Sequence, residues 1–473
     1  MNIYEKAIQI KGDAVTWNPQ LATSAGPIYR AIADALARDV ANGRIAAGDR
    51  LPSQRELAQA LGVDLTTVTR AYAEAARRGL IDSDGRRGSF VRGTAVVPIA
   101  PAALASEAAS GMNMPPEPEG GQLQRAIMSG IQALFDGGAP SLHYQPSGGS
   151  EADRAAVSRF LARTIPGIIP DELVVTAGAQ NGLHAVCGLL LGGGKPVAAG
   201  CFTYPGLIAL ARRFGAPLLP LEVDGEGILP DAIERVASRT SLAALYVIPT
   251  NDNPTTATMS LRRREDIADV ARRFGIPIIE DDPYGRLPDD PLPPIAALAP
   301  ERTWHVTSVS KILSPSLRVG FVRAPDVRGA ARLAGDIHET AIMPPPLNLA
   351  LVTRWLADGT FVRLVAAVRA EAAARSAAAA KILAGTDLRH RPEGYHLWLK
   401  LDAGLAAADL AAQAVASGIP VAPGSSFCAG AEPPYQGLRI SLGGSRSRDA
   451  VLRETRRLDA LLIQAARRGH AFV

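Results

Sequence analysis

The sequence is poor in lysine and in cysteine, and both scarcities narrow what it can encode. Only six of the 50 basic residues are lysine, so a lysine inside a motif is less readily a random surface residue. The three cysteines, Cys187, Cys201 and Cys428, are scattered and lack metal-ligand spacing. This pattern disfavours a metal site or a disulfide framework, and it indicates buried thiols in a reducing compartment.

Long apolar runs and a secretory leader are also missing. No stretch approaches the ~20 apolar residues that cross a bilayer, and the opening MNIYEKAIQIKGD is too charged for a signal peptide. The 473 residues are 47% apolar and 20% charged, which is ordinary for a globular chain with room for two or three domains. We therefore expect a cytoplasmic protein without membrane contact.

Residues 20–94 predict three helices followed by a β-hairpin. The first helix, over 27–42, carries an apolar stripe from Ile28 to Val40, and Gly43 ends it. The next helix begins at Gln54, where Ser53 and Glu56 form a capping box. A turn at Gly62-Val63-Asp64 leads into a third helix with Asp64 as its N-cap.

The third helix and the hairpin carry the polar groups that DNA binding requires. Short polar side chains suited to the major groove lie on the outer face of this helix: Thr66, Thr67, Thr69 and Arg70. The hairpin tip, Asp84-Gly85-Arg86-Arg87-Gly88-Ser89, is basic and rich in glycine. Together they predict a winged helix-turn-helix. A plain three-helix bundle is the alternative, and the turn spacing and the basic wing disfavour it.

One stretch of this region resembles the GntR family of bacterial repressors, namely GRIAAGDRLPSQRELAQALGVDLTTVTRAYAEAARRGLIDSDGRRGSFV. The resemblance implies that Arg55, the stretch from Leu65 to Arg70 and the wing glycine Gly88 contact double-stranded promoter DNA. Leu65 and Thr69 stand where the family often has arginine, so weaker clamping of DNA phosphates is expected. The operator sequence stays open.

Beyond an Ala/Pro/Ser-rich linker at 95–111, residues 112–473 predict an α/β domain. Helical patterns alternate with short apolar runs such as ELVVTAG, ALYVIPT, PIIEDD and WHVTSVS, which is typical of a largely parallel sheet. Functional sites of such sheets gather at the carboxyl ends of the strands. The polar clusters of this chain follow those strands.

Lys311 stands in one of these clusters, after two alternating serines and seven residues before Arg318. An amine beside hydroxyls and a guanidinium suits a carbonyl cofactor that carries a phosphate. A solvated lysine at a strand edge is the alternative for this motif alone. Asp281 follows another strand and can keep a pyridine nitrogen protonated, although adjacent acids also occur in solvated turns and metal sites.

Taken together these clusters resemble the fold-type I aminotransferases, which use pyridoxal 5′-phosphate. The resemblance covers roughly 112–470 and implies a smaller C-terminal α+β subdomain from about residue 365. It makes Lys311 the Schiff-base lysine and Asp281 the partner of the pyridine nitrogen. The other implied cofactor contacts are Asn253 and Tyr284 to the ring hydroxyl, Tyr204 stacked on the ring, and Ser308, Ser310, Arg318, Gln180 and the amide of Ala179 to the phosphate.

Two further roles follow from the same resemblance. Tyr144 matches a tyrosine that reaches the phosphate of a neighbouring subunit, which implies a homodimer, and Arg439 matches an arginine that grips a substrate carboxylate. Ala179 and Thr256 depart from the family, which usually has serine and glycine there, and somewhat lower phosphate affinity is expected.

A winged helix ahead of an aminotransferase-like domain resembles the MocR subfamily of GntR regulators. Three functions are compatible with this architecture: a regulator that senses an amino compound or the cofactor, an aminotransferase that carries a DNA-binding domain, and a scaffold that only dimerises DNA readers. A scaffold needs none of Lys311, Asp281, Tyr284 and Arg439. The complete winged helix favours the regulator, with residual transamination compatible with it.

Overall fold

The computed structural model describes residues 17, 19, 27–41, 44–45, 48–78, 80–84, 88–91, 112–137 and 143–470. The chain forms two compact units, 1–102 and 103–473. Three features named above lie outside the described residues: the helix end at Gly43, the wing tip at 85–87 and the linker at 95–111. Within the described ranges, no helix combines the length and the apolar composition needed to span a membrane.

The first unit contains three helices and a two-stranded hairpin. The elements are α1 (Ile28–Ala41), α2 (Gln54–Leu61), α3 (Leu65–Arg77), β1 (Ile81–Asp84) and β2 (Gly88–Val91). The strands are antiparallel, with Ile81 opposite Val91 and Asp84 opposite Gly88. This arrangement confirms the winged helix-turn-helix fold.

Local hydrogen bonds fix where α2 and α3 begin. The Ser53 hydroxyl accepts from the Glu56 amide at 3.3 Å, and the Glu56 carboxylate accepts from the Ser53 amide at 2.7 Å. Gly62 adopts φ 63°, a left-handed conformation that suits glycine, and it ends α2. The Asp64 carboxylate then accepts from the Thr66 amide at 2.8 Å. The capping box and both predicted helix starts are therefore confirmed.

The core of this unit forms where α3 packs across the other helices. Leu57 and Val68 are fully buried, and the Tyr72 hydroxyl donates to the Pro52 carbonyl at 2.8 Å, which ties α3 to the start of α2. The predicted stripe of α1 is correct at Ile32 but wrong at Ile28, which is half exposed. Ile28 is the first residue of α1 and lies outside the buried cluster.

A seven-stranded sheet forms the centre of the second unit. Its strands are β3 (Leu173–Thr176), β4 (Val197–Gly200), β5 (Leu218–Leu221), β8 (Ala244–Val247), β9 (Ile278–Asp281), β10 (Thr303–Ser308) and β11 (Gly320–Arg323). They lie in the order β3-β11-β10-β9-β8-β4-β5. The run from β10 to β5 is parallel, and β11 is antiparallel to both its neighbours. The predicted mainly parallel sheet is therefore confirmed.

Helices cover both faces of this sheet. They are α4 (Gln122–Asp136), α5 (Glu151–Leu161), α6 (Ala179–Leu191), α7 (Pro205–Arg213), α8 (Pro230–Ala237), α9 (Leu261–Phe274), α10 (Ile295–Leu298), α11 (Val327–Ala341) and α12 (Pro346–Asp358). A short hairpin, β6 (Val223–Asp224) with β7 (Gly227–Ile228), precedes α8. Adjacent strand residues enter different cores, as Val174 and Val175 do, because strand side chains alternate in direction.

The C-terminal part builds a second, antiparallel sheet with its own core. Its elements are α13 (Thr360–Ile382), β12 (Asp387–His390), β13 (His396–Lys400), α14 (Ala407–Ala416), β14 (Val421–Pro423), β15 (Gly437–Ser441) and α15 (Arg448–His470). The strand order is β12-β13-β15-β14. The boundary predicted near residue 365 falls inside α13, which contributes Leu364 to the core of the large sheet and Ala379 to that of the small one.

Candidate functional site

Lys311 lies in a short 3₁₀ turn, Val309–Lys311, directly after β10. Its amine donates to the backbone carbonyl of Asn113, and its own carbonyl accepts from the Tyr395 hydroxyl at 2.7 Å. Burial, reinforced by the positive charge of Arg439, lowers the pKa of Lys311 from 10.5 to about 8. A larger share of this amine is therefore neutral, and thus nucleophilic, than in an exposed lysine.

Asp281 ends β9, which pairs in parallel with β10, the strand that precedes Lys311. Its Oδ2 accepts from the Tyr246 hydroxyl at 2.6 Å, while its buried Oδ1 has no hydrogen-bond partner among the described residues. Burial raises the pKa of Asp281 to about 7, and the hydrogen bond from Tyr246 counteracts part of that rise. A buried carboxylate with one oxygen held and the other unpartnered is suited to a cationic N–H donor.

An anion cradle lies where β3 turns into α6. Helix α6 begins at Ala179, so the backbone amide groups of Ala179 and Gln180, in its first turn, have no acceptor within the helix. Gly178 adopts φ 87°, and a Cβ there would lie 2.6 Å from Nη2 of Arg318. The same Nη2 donates to the Ala177 carbonyl at 2.9 Å, which holds the guanidinium beside the turn.

The two serines before Lys311 differ in their hydrogen bonding. Ser308 Oγ accepts from the Ser310 amide at 3.4 Å. Ser310 Oγ is buried and lacks a hydrogen-bond partner within the part of the chain that the structure describes. A buried hydroxyl in this state is suited to donate to a phosphate oxygen.

Tyr204 and Asn253 are each linked to another predicted site residue. The Tyr204 hydroxyl donates to the Gln180 side-chain carbonyl at 3.0 Å, which connects the start of α7 to the start of α6. Asn253 Oδ1 accepts from Arg439 Nη1 at 2.9 Å. Arg439, on β15, is buried and lies 4.9 Å from the centre of the Phe427 ring.

Asn113 and His396, to which the sequence assigned no role, lie beside Tyr284. The side-chain amide nitrogen of Asn113 donates to the Tyr284 hydroxyl at 3.0 Å and contacts His396 Nδ1 at 3.1 Å. We assign Nδ1 as the acceptor, so that Nε2–H donates to the Asp252 carbonyl at 3.0 Å. Burial lowers the pKa of His396 to about 3, in agreement with a neutral ring.

The remaining predicted residues differ in their exposure and backbone conformation. Tyr144 is 80% exposed and is not among the residues that line the cavity beside Lys311. In the first unit Arg55, Thr66, Thr69 and Arg70 are exposed, and Thr67 is half-buried. Thr256, where the family usually has glycine, adopts φ 61°, so the backbone there keeps the conformation that favours glycine.

These residues fit pyridoxal 5′-phosphate. Lys311 would supply the amine, and Oδ1 of Asp281 would supply an acceptor for the ring nitrogen. The Ser310 hydroxyl, the amide groups at the start of α6 and the Arg318 guanidinium would supply donors for a phosphate. A Cβ at Gly178 would lie 2.6 Å from Arg318 Nη2, so added bulk there would displace the guanidinium from this turn.

Comparisons with known proteins match both units. The model for bacterial regulatory proteins of the gntR family matches residues 28–91, and the model for aminotransferase class I and II matches residues 112–455. The chain is 26% identical over 438 residues to the uncharacterized HTH-type transcriptional regulator YdeF of Bacillus subtilis (strain 168), across 90% of this chain and 93% of YdeF. It is 28% identical over 422 residues to the vitamin B6 salvage pathway transcriptional repressor PtsJ of Salmonella typhimurium, across 88% of this chain and 94% of PtsJ.

A solved structure extends the match to the fold of the second unit. LysN, an α-aminoadipate aminotransferase from Thermus thermophilus crystallised with N-(5′-phosphopyridoxyl)-L-leucine, superposes with a TM-score of 0.68 at 27% identity. The superposition covers 78% of this chain and 96% of LysN. The chain therefore belongs to the aminotransferase class I and II family, with a gntR-family domain ahead of the aminotransferase domain. This combination confirms the resemblance to the MocR subfamily, and the cofactor is pyridoxal 5′-phosphate.

The lowered pKa of Lys311 predicts how cofactor incorporation depends on pH. Only the neutral amine attacks an aldehyde, so the rate at which apo-protein takes up pyridoxal 5′-phosphate should rise with pH through a midpoint near 8 before it levels off. The rate is followed by the visible absorbance that appears on uptake. Nα-acetyl-lysine, measured alongside, corrects for titration of the cofactor itself. A midpoint near 10.5 for the protein would show that burial does not perturb this amine.

Proposed function

We propose that this protein is a DNA-binding transcription regulator that holds pyridoxal 5′-phosphate and senses an amino compound at that cofactor. One observation carries the proposal: a winged helix-turn-helix and the residues Lys311, Asp281 and Arg439 occur in the same chain. The similarity to regulators that span nearly the whole chain supports it. A regulator that acts on DNA in a bacterium works in the cytoplasm.

In this proposal each part of the cluster holds one part of the cofactor. Lys311 would bind the aldehyde carbon, and Asp281, oriented by Tyr246, would hold a proton on the ring nitrogen. Tyr284 and Asn253 would bond the ring hydroxyl, and Tyr204 would pack on the ring face. Ala179, Gln180, Ser308, Ser310 and Arg318 would hold the phosphate. The bound group supplies an aldehyde for amines and an electron sink.

Arg439 would bind the carboxylate of the effector. Its guanidinium is buried and lines the same cavity as Lys311, so a ligand with an amine and a carboxylate can reach both residues. The Asn253 side chain accepts a hydrogen bond from Nη1 of the Arg439 guanidinium, which limits the orientations open to that guanidinium. These two anchors support an amino acid as the effector.

A catalytic aminotransferase is the second candidate function. The observation that favours it is that Lys311, Asp281 and Arg439 are all present, and an enzyme would use them as the amine, the partner of the ring nitrogen and the carboxylate anchor. LysN, an aminotransferase, shares the fold of this unit. Repeated release of a keto acid from an amino acid distinguishes this function from sensing.

A homodimer is the assembly that we propose for the regulator. Tyr144 is highly exposed in the single chain, in keeping with a side chain that enters the phosphate site of a second copy. Two copies would present two winged helices to promoter DNA, which suits an operator with two half-sites. Sedimentation of the cofactor-loaded protein should give twice the chain mass.

Removing Arg55 should weaken DNA binding without regard to sequence. Arg55 is exposed at the start of α2, and the proposal assigns it to a DNA phosphate. We expect Arg55→Ala to lower operator affinity roughly tenfold and to reduce the slope of log affinity against log salt by about 1. Fluorescence anisotropy over a series of salt concentrations measures both. Arg30→Ala removes an exposed arginine from α1 and is the matched control. Equal salt slopes in Arg55→Ala and the wild type would contradict the assignment.

A further inference from the structure

The cavity beside Lys311 has one polar wall and one apolar wall. It encloses about 610 Å³, a volume within the range of small-molecule sites. Lys311, Asn253 and Arg439 lie on the polar side. Among the described residues that line the cavity, Lys311 and Arg439 are the charged ones.

The apolar wall is one stripe of α14 together with β14 and the turn after it. Ala408, Ala411, Ala412 and Val415 line the cavity and are spaced three and four residues apart, so they share a helix face. Ala408 and Ala412 are exposed, which leaves their methyl groups open to the cavity. Val421, Ala422 and Phe427 continue the same wall.

From these walls we infer that the effector is an α-amino acid with an uncharged, apolar side chain of the size of leucine or phenylalanine. The inference rests on the proposed function, because it names the ligand class of the site that holds the cofactor. The carboxylate of the effector would bind Arg439, and its amine would lie next to Lys311. Its side chain would then pack against the apolar wall. A ligand without a side chain, such as an ω-amino acid, would leave that wall uncovered.

Charge decides against acidic and basic side chains. A side-chain carboxylate placed against Ala408, Ala411 and Ala412 would meet methyl groups where it needs a cation, and a side-chain ammonium would meet no carboxylate among the described residues of the wall. An apolar side chain gains affinity there through burial, by about fourfold for each methylene group. The small alanines keep the wall set back, which leaves room for a branched or aromatic group.

The test is a ligand series on the cofactor-loaded full-length protein. L-alanine, L-leucine, L-phenylalanine, L-glutamate and γ-aminobutyrate are each titrated, and the change in visible absorbance gives a dissociation constant. We expect L-leucine to bind at least about tenfold more tightly than L-alanine, L-glutamate and γ-aminobutyrate. Isothermal titration calorimetry gives the same constants without relying on the absorbance.

A charge placed on the wall should reverse the preference. Ala412→Arg should weaken L-leucine binding by about tenfold or more and strengthen L-glutamate binding by a similar factor, because the guanidinium supplies the missing cation. Gln413→Arg adds the same charge to the next, exposed residue of α14, which does not line the cavity, and should change neither constant. The wild-type series decides the matter even if a variant folds poorly.

The outcomes separate this inference from the proposed function. Tighter binding of L-glutamate or γ-aminobutyrate than of L-leucine by the wild type would overturn the apolar assignment and leave amino-compound sensing in place. If none of the five compounds, and no other amine, altered the spectrum of the loaded protein, sensing and this inference would both be wrong.

Discussion

Replacing Lys311 with alanine should remove the visible absorbance of the cofactor-loaded protein and prevent borohydride from fixing the cofactor to the chain. The expected loss is complete, because Lys311 is the amine that we place at the end of β10 next to Asn113 and Tyr395. The spectrum of protein purified with excess pyridoxal 5′-phosphate gives the first reading. The intact mass after borohydride reduction gives the second.

Lys381→Ala is the matched control for this change. Lys381 is exposed near the end of α13, so its removal should leave both readings as in the wild type. A reduced Lys311→Ala protein that still carried the mass of the cofactor would place the attachment on another amine. A colourless wild type, after exposure to excess cofactor, would contradict the assignment of the whole site.

Replacing Arg439 with alanine should abolish the response to the effector. The guanidinium is buried and bonded to Asn253, so truncation removes the carboxylate anchor and the donor that Asn253 uses. Losing one partner of a buried charged contact costs about 2–5 kcal/mol, which corresponds to at least about a 30-fold loss of ligand affinity. Spectral titration measures the affinity, and anisotropy with labelled operator measures the response.

Arg389→Ala controls for loss of an arginine from the same small sheet. Arg389 lies on β12, is exposed and does not line the cavity, so its removal should not change ligand affinity. If the Arg439→Ala protein still responded at wild-type ligand concentrations, the signal would enter elsewhere. Free cofactor itself would then be the compound to test first.

Local signals account for the parts of the fold that were predicted well. The capping box joins Ser53 and Glu56, three residues apart, and Asp64 caps the amide of Thr66, two residues on. Both could be predicted because the partners are close in sequence. The parallel strands are short apolar runs. The residues that follow them lie close together because the carboxyl ends of parallel strands meet at one edge of the sheet. That is why Asp281 and Lys311 could be placed near each other.

Contacts between distant parts of the chain account for what was missed. Asn113 reaches Tyr284 and His396 across 171 and 283 residues, and no local pattern marks such a pairing. Tyr246 lies in an apolar strand segment, where its sequence position predicts only a core residue. Its hydroxyl, a polar group in a buried strand, was the one signal that could have suggested the contact with Asp281. The apolar wall on α14 could not be predicted either, because an alanine-rich helix sequence does not show which of its faces lines a cavity.

The two departures from the family have different structural meanings. Ala179 lies at the first position of α6, where its backbone amide has no acceptor within the helix, so the difference from serine is limited to one side-chain hydroxyl. Thr256 takes a backbone conformation that suits glycine, and its amide donates to the Asp252 carbonyl at 2.7 Å. The turn around Asn253 is therefore kept by the chain despite a β-branched residue.

Effector binding must favour one DNA-binding arrangement over another if the protein is a sensor, because equal affinity for both shifts nothing. The most direct measurement is operator affinity of the cofactor-loaded protein, by anisotropy, without ligand and with a saturating amount of the tightest binder from the spectral series. Release of keto acid is followed in the same sample. We expect operator affinity to change by at least about fivefold, the lower end of typical coupling between sites. Unchanged operator affinity at spectral saturation, with keto acid accumulating over many turnovers, would contradict it and identify the chain as an aminotransferase.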